Sequence, residues 1–268
     1  MLRHELEEHG FAVIEGALAP AQLTRLRAAV DRVRRRESPN GTALHRLGFV
    51  GLDDAFVELL DHPATFPLVA DVLGWNVYMY HCHLDVHPPA PDAPPQWRWH
   101  QDGGRQNVEL VSPRPLLSLK IAYFLTDVPT AEHGALKVLP GSHASDTLPR
   151  DQEPPGAVPL LVRAGTAVVL DRRLWHARGE NRSQATRIAL FYAYTYRWIR
   201  PRTSYVSMRG SSTGSTPSSA SSSEQARARS ATGSPPTRTF RFARLARRDR
   251  TRPCASSSSA TWKASPGS

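Results

Sequence analysis

Trp97-Arg98-Trp99-His100-Gln101-Asp102-Gly103-Gly104 carries at its centre a histidine and an aspartate two residues apart. On an extended strand successive side chains alternate faces, so His100 and Asp102 are expected to project to one side. An imidazole and a carboxylate placed that way can bind one metal ion from adjacent corners. A second histidine would complete a 2-His-1-carboxylate facial triad, which leaves coordination positions open and is diagnostic of non-haem Fe(II) oxygenases. Taken alone, the tripeptide reads equally as a surface strand running into a turn. The surrounding sequence has to decide between the two.

Working outward, the stretch follows a proline-rich loop over residues 88–95 and, before it, residues 75–86, whose aromatic and β-branched content predicts a strand. On the C-terminal side, residues 116–125, 134–139, 160–162, 166–170 and 187–196 are apolar runs separated by Gly/Pro and polar turns, each predicting a strand. Arg163-Ala164-Gly165 predicts a hairpin or a tight corner. On the N-terminal side, residues 9–16 read as a short strand. A helix opens at Ala19-Pro20-Ala21-Gln22, with Leu23, Leu26, Val30 and Val33 on one face. Its basic end, residues 32–36, suits a helix C-terminus, and Ser38-Pro39-Asn40-Gly41 stops it. Further helices are expected over 53–60 and 64–73, the latter stopped by Gly74. Helices followed by many short strands predict a mainly β fold, a barrel or jelly roll with flanking α-helices.

Charge divides the chain. Residues 1–200 contain 22 Lys/Arg and 22 Asp/Glu, whereas residues 201–268 contain 12 Lys/Arg against Glu224 and Asp249, so the net charge of +10 lies in the tail. That tail holds 18 serines, much Arg and Pro, and no periodicity beyond a short helical pattern at 240–248. Such composition buries too little apolar surface to offset chain entropy and predicts disorder. It has the texture of an out-of-frame reading of a GC-rich gene, an authentic disordered tail being the alternative. The expected organisation is one folded domain over 1–200 and a tail over 201–268. The tail lacks the interleaved aromatics of a single-strand binder, so only non-specific polyanion binding is expected of it. No apolar run is long enough to span a bilayer, the N-terminus has no signal-peptide pattern, and Cys82 and Cys254 make no disulfide framework. A cytoplasmic protein without a membrane partner is the expectation.

A third ligand candidate, His176, stands in Leu174-Trp175-His176-Ala177 after a predicted strand. Arg187 opens the last apolar strand. An arginine there must find an anion or face water, and its planar fork binds carboxylates bidentately. A dicarboxylate co-substrate would supply that anion.

With these residues in view, the chain resembles the phytanoyl-CoA dioxygenase family of Fe(II)- and 2-oxoglutarate-dependent oxygenases. The resemblance is carried in order by Gly10-Phe11-Ala12-Val13-Ile14-Glu15-Gly16, Trp99-His100-Gln101-Asp102, Leu136-Lys137-Val138-Leu139-Pro140-Gly141-Ser142-His143, and the pair His176 and Arg187. It implies a double-stranded β-helix with iron at its open end, bound by His100, Asp102 and His176, and Arg187 on the distal carboxylate of 2-oxoglutarate. It also implies O2 as oxidant, succinate and CO2 as co-products, and a small-molecule substrate. Related halogenases replace the carboxylate ligand with a small residue; the presence of Asp102 favours hydroxylation. His83 and Lys120 are candidate co-substrate contacts, set against a barrel-lining histidine and a solvated lysine. Arg46 is a weaker anion candidate. His81 and His87 lack a matching carboxylate for a second metal site, and His143 reads as a structural turn. Trp97, Trp99 and Trp175 are expected to wall the pocket. The rival reading is a catalytically silent metal-binding jelly roll, or a truncated, inactive family member.

Overall fold

The computed structural model describes residues 1–94, 98–104, 106–147 and 153–200. The expected disordered tail with its helical pattern at 240–248, Cys254 and Trp97 lie outside the described residues. The chain opens with α1 (Leu2–His9), β1 (Phe11–Ile14), α2 (Pro20–Glu37), β2 (Leu44–Leu47), a 3-10 turn (Phe49–Leu52), α3 (Asp54–Val57) and α4 (Phe66–Leu73). It continues with β3 (Val77–His87), α5 (Gln106–Glu109), β4 (Ser118–Phe124), β5 (Leu136–Val138), β6 (Val158–Leu160), β7 (Ala167–Asp171), β8 (His176–Arg178) and β9 (Arg187–Tyr196). Antiparallel pairing builds a six-stranded sheet, β1-β7-β4-β9-β3-β2, and a three-stranded sheet, β6-β5-β8. The architecture is the expected mainly β jelly roll with flanking helices.

The long strands read as continuous apolar runs because the large sheet is buried on both faces. Along β4, Leu119, Ile121 and Tyr123 join the core shared with the helices, while Ala122 and Phe124 join a second core between the sheets. The same parity sorts Val169 from Val168 and Leu170 on β7, and Leu190 and Tyr192 from Ala189 and Phe191 on β9. Leu26, Ala29, Val30 and Val33 of α2 fill the outer core, as the spacing predicts. Two tyrosines keep their hydroxyls satisfied there: Tyr192 donates to the Phe56 carbonyl and Tyr194 to the Leu60 carbonyl, each at 2.8 Å.

Arg163-Ala164-Gly165 is a corner rather than a hairpin, since β6 belongs to the small sheet and β7 to the large one. Four elements were absent from the sequence expectation: α1, β2, α5 and β8. α1 buries Leu6 alone, too little for an apolar stripe, and β8 is three residues long. α1 is nevertheless clasped firmly. Gly10 caps it at φ +82°, and a Cβ there would lie 2.7 Å from His143 Nδ1 and 2.8 Å from Leu174 Cδ1. His143 is structural, as expected: its Nε2 donates to the Glu7 carbonyl at 3.0 Å.

The fully buried Leu26 tests the packing of α2 on the sheet. Leu26→Ala is expected to destabilise the fold by about 2–5 kcal/mol in urea unfolding, the usual cost of a buried Leu→Ala cavity; a loss under about 1 kcal/mol would contradict that packing.

Candidate functional site

His100 and His176 are joined by the backbone before they are joined by any ligand. They form an antiparallel bridge, His100 N to His176 O and His176 N to His100 O, both at 3.0 Å. The expectation of a strand carrying both His100 and Asp102 is corrected here: His100 sits in this single bridge and Asp102 begins a turn. Alternation survives without a ladder. Gln101 points the other way, donating to the carbonyls of Ser145 at 2.9 Å and Arg173 at 2.5 Å and accepting from Arg114 Nη1 at 2.6 Å. Asp102 N donates to Arg172 O at 2.8 Å, and Asn107 Nδ2 donates to Asp102 O at 3.0 Å.

The donor atoms of His100, Asp102 and His176 lie within 4.8 Å of one another, the only such group of potential metal ligands among the described residues. His100 Nδ1 donates to the Arg98 carbonyl at 3.0 Å and His176 Nδ1 to the Leu174 carbonyl at 2.8 Å. Carbonyls only accept, so each Nδ1 carries the proton and each Nε2 presents its lone pair, the state that metal-binding histidines adopt. Asp102 is buried, and its Oδ2 lies 3.9 Å from His176 Nε2. The donors fit a divalent ion at ~2 Å from each after a small closure. Burial, His100 and Lys120 push the His176 imidazole down to about 3. Burial alone would raise the Asp102 carboxyl, but Lys120 and then the imidazoles hold it well below the usual carboxylate range.

Lys120 is only 8 % exposed and shares the inward parity of Ala122 and Phe124. Its ammonium ion-pairs Asp102 Oδ2, so the solvated alternative is overturned. Arg187, buried on the same inner face, meets an anion from the chain itself. It pairs with Asp85, which also takes Arg178 Nη1 at 3.2 Å and lies 3.7 Å from His45 Nδ1. Burial raises the Asp85 carboxyl, while His45, then Arg187 and Arg178, lower it, with a net shift well below the ordinary range. Arg187 Nε remains buried without a partner. His83 stacks on Phe191 at 4.3 Å, its Nδ1 buried and unpartnered. Burial, then Lys120, hold its imidazole well below the ordinary value and therefore neutral. His87 is pushed down to about 4 by burial and by Arg178 and Arg187. Arg46 is not at the site; it pairs with Glu37 at 2.8 Å. Trp99 and Trp175 are buried together beside Ala177; Trp175 Nε1 donates to the Ser145 carbonyl that Gln101 also bonds, so these indoles pack behind the His100–His176 bridge and do not wall the pocket as expected.

Three contributors were missed. Asp85 sits in His81-Cys82-His83-Leu84-Asp85-Val86-His87, where polar residues hold every second position; that alternation was the available signal for a polar inner face. Asn107 fixes the Asp102 turn. Arg172, 1 % exposed, donates Nη2 to Asn107 Oδ1, while its Nε and Nη1 have no partner. Gly103, at φ +118°, leaves room for this guanidinium, which a Cβ would strike.

A sequence profile described as phytanoyl-CoA dioxygenase (PhyH) matches residues 6–189. The uncharacterized protein Rv1501 of Mycobacterium tuberculosis is 30% identical over 218 residues, covering 75% of this chain and 77% of that one. Dioxygenase trt7 of Aspergillus terreus is 29% identical over 199 residues, covering 69% of each. Among solved structures, HygX from Streptomyces hygroscopicus, with nickel and 2-oxoglutarate bound, aligns over 75% of this chain and 88% of its own, with TM-score 0.62 and 14% identity. The α-ketoglutarate-dependent carbocyclase SnoK from nogalamycin biosynthesis covers 73% of this chain and 83% of its own, with TM-score 0.57 and 22% identity. At those identities the structural likeness speaks to the fold.

Asp85 is the carboxylate on which Arg187 depends. Asp85→Ala is expected to cost about 3–5 kcal/mol of folding stability, because it strands a buried guanidinium; thermal unfolding measures it, and an unchanged midpoint would mean that Arg187 finds another anion.

Proposed function

The chain belongs to the phytanoyl-CoA dioxygenase family, and from that premise we propose that this iron- and 2-oxoglutarate-dependent dioxygenase hydroxylates a small molecule at the mouth of its jelly roll. The observation that carries this reading is the convergence of His100, Asp102 and His176, with both imidazoles locked in the ligating tautomer. In this reading the three residues hold iron. When bound, iron and 2-oxoglutarate supply the oxidation: O2 is consumed, 2-oxoglutarate becomes succinate and CO2, and a substrate C–H becomes C–OH.

The chain's own residues do the rest. His100 and His176 hold their protons at Nδ1 on backbone carbonyls and so keep Nε2 available. Arg187 binds the distal carboxylate of 2-oxoglutarate through its unpartnered Nε, while Asp85 fixes the guanidinium at Nη2. Phe191 and His83 form a flat neutral wall along the inner face. Trp99 and Trp175 pack behind the His100–His176 bridge and support it. Small-molecule substrates are consistent with the neighbours, HygX having been solved with hygromycin B and the epimerase SnoN with nogalamycin RO.

We assign residues 1–200 to the oxygenase domain and 201–268 to a dispensable basic tail, and place the protein in the cytoplasm. The two cysteines, far apart in sequence, make no disulfide framework, and that supports the location. A silent jelly roll is the second reading, favoured by the Lys120–Asp102 contact, which would have to open for a metal to enter.

Succinate formation from 2-oxoglutarate with Fe(II), across a panel of candidate substrates, tests the function. Asp102→Ala should abolish it, and retained activity would sink the ligand assignment. Arg187→Ala should weaken 2-oxoglutarate binding by about 2–5 kcal/mol, with Arg187→Lys recovering only part, since the bidentate fork is lost; an unchanged titration would refute the role. Removing residues 203–268 should leave iron and 2-oxoglutarate binding intact while abolishing salt-sensitive polyanion binding. Loss of both cofactors on truncation would place part of the domain beyond residue 202.

A further inference from the structure

Around the candidate metal ligands, Arg114, Lys120, Arg173, Arg178 and Arg187 are each matched to a carboxylate. Arg114 lies 3.5 Å from Asp146, Arg173 2.6 Å from Asp171, and Arg178 and Arg187 share Asp85. Lys120 has Asp102. Arg172 has no carboxylate of its own, although it is the most deeply buried of these arginines. Two of its three guanidinium nitrogens face neither solvent nor an acceptor. A buried cation left in that state is destabilising, so an anion or water is implied there.

Its placement says which side the gap is on. Arg172 N donates to Ser118 O at 3.2 Å, extending the β4–β7 ladder by one step beyond Leu119 and Asp171. Arg172 therefore has the parity of Val168 and Leu170, which point into the core between the sheets. Lys120 pairs directly with Leu170. Lys120 and Arg172 are thus diagonal neighbours on the inner face, a relation that brings long side chains within reach of one another. Both flank Asp102, one at the carboxylate and the other at the backbone.

The charge balance of the loaded site follows, and it rests on the metal-centre reading above. Asp102 and the proximal carboxylate of 2-oxoglutarate together neutralise a divalent ion. The distal carboxylate is taken by Arg187. With the charge of Asp102 counted against the ion, it no longer balances Lys120. Lys120 and Arg172 are left side by side in a buried inner face with no anion between them.

We propose that Lys120 and Arg172 form an anion subsite beside the metal ligands, and that the substrate carries an oxyanion, a carboxylate or a phosphate, which this pair binds. Arg172 Nε and Nη1 lie on different edges of the guanidinium, so one of them reaches the anion as a single charge-assisted donor while Nη2 stays on Asn107. Lys120 contributes a point charge from the next strand. Bound this way, the substrate is anchored next to the ligands, and the C–H groups near its anionic end face the reacting position.

The test uses the full-length protein loaded with Ni(II) and 2-oxoglutarate, which does not turn over. Phenyl phosphate, benzoate and the uncharged benzamide are titrated by calorimetry. An anion should bind roughly 10- to 100-fold more tightly than benzamide, the worth of a charge-assisted pair of hydrogen bonds. Arg172→Gln should remove most of that preference, and Arg172→Lys should restore part of it. The ranking of benzoate against phenyl phosphate separates a carboxylate from a phosphate substrate. Equal binding of anion and amide, no binding of either anion, or an anion affinity unchanged in Arg172→Gln would each overturn the subsite and leave Arg172 satisfied by water. The wild-type comparison needs no variant to fold. Failure of Ni(II) or 2-oxoglutarate to bind the wild type would sink the metal-centre reading and the subsite with it; success there without an anion preference would sink the subsite alone.

Discussion

Two main-chain hydrogen bonds between His100 and His176, both 3.0 Å, tie the segment after the proline-rich loop to the first residue of β8. The segment carrying His100 belongs to no sheet apart from this bridge. The bridge sets two imidazoles 4.3 Å apart, and the same backbone then supplies the carbonyls of Arg98 and Leu174 that fix both tautomers. Asp102 arrives by a turn pinned at both ends, by the Arg172 carbonyl and the Asn107 amide. The geometry of the candidate ligands is therefore a backbone property, and side-chain rotamers have little left to choose. Preorganisation of this kind is what keeps a site precise.

The second constraint is the strand period. Because β4, β7 and β9 are packed on both faces, each residue of even or odd number is committed to one of two cores. The outer one is apolar and carries the helices. The inner one is apolar at its floor, with Phe124, Val138 and Leu170, and charged toward the ligands. Charges are tolerated there because burial is offset by pairing: Asp85 serves two arginines, and Asp102 serves Lys120. Moving Asp85, Lys120 or Arg187 by one position along its strand would send its charge into the helix-facing core.

Much of this was legible in the sequence. His100, Asp102, His176 and Arg187 carry ligand and anion chemistry in residue type and order, and the apolar runs named the major strands. The helix over Leu23, Leu26, Val30 and Val33 followed from its spacing, because a helix that buries one face must repeat at 3.6 residues. Short elements were not legible. β8 and α5, with three and four residues, are shorter than the period needed to recognise them.

Residue types, their alternation and their order thus determined the fold class and the candidate ligands, since these depend on local period and on the chemistry of single side chains. Tertiary structure alone decided which charges meet. Asp85 and Arg187 are far apart in sequence and face each other because β3 and β9 pair in one register, His87 opposite Arg187. Lys120 reaches Asp102, and Arg172 is left without a carboxylate, through a strand pairing between β4 and β7 that no short stretch encodes. Coulomb energy in a buried site depends on separation in space, and separation along the chain carries almost no information about it.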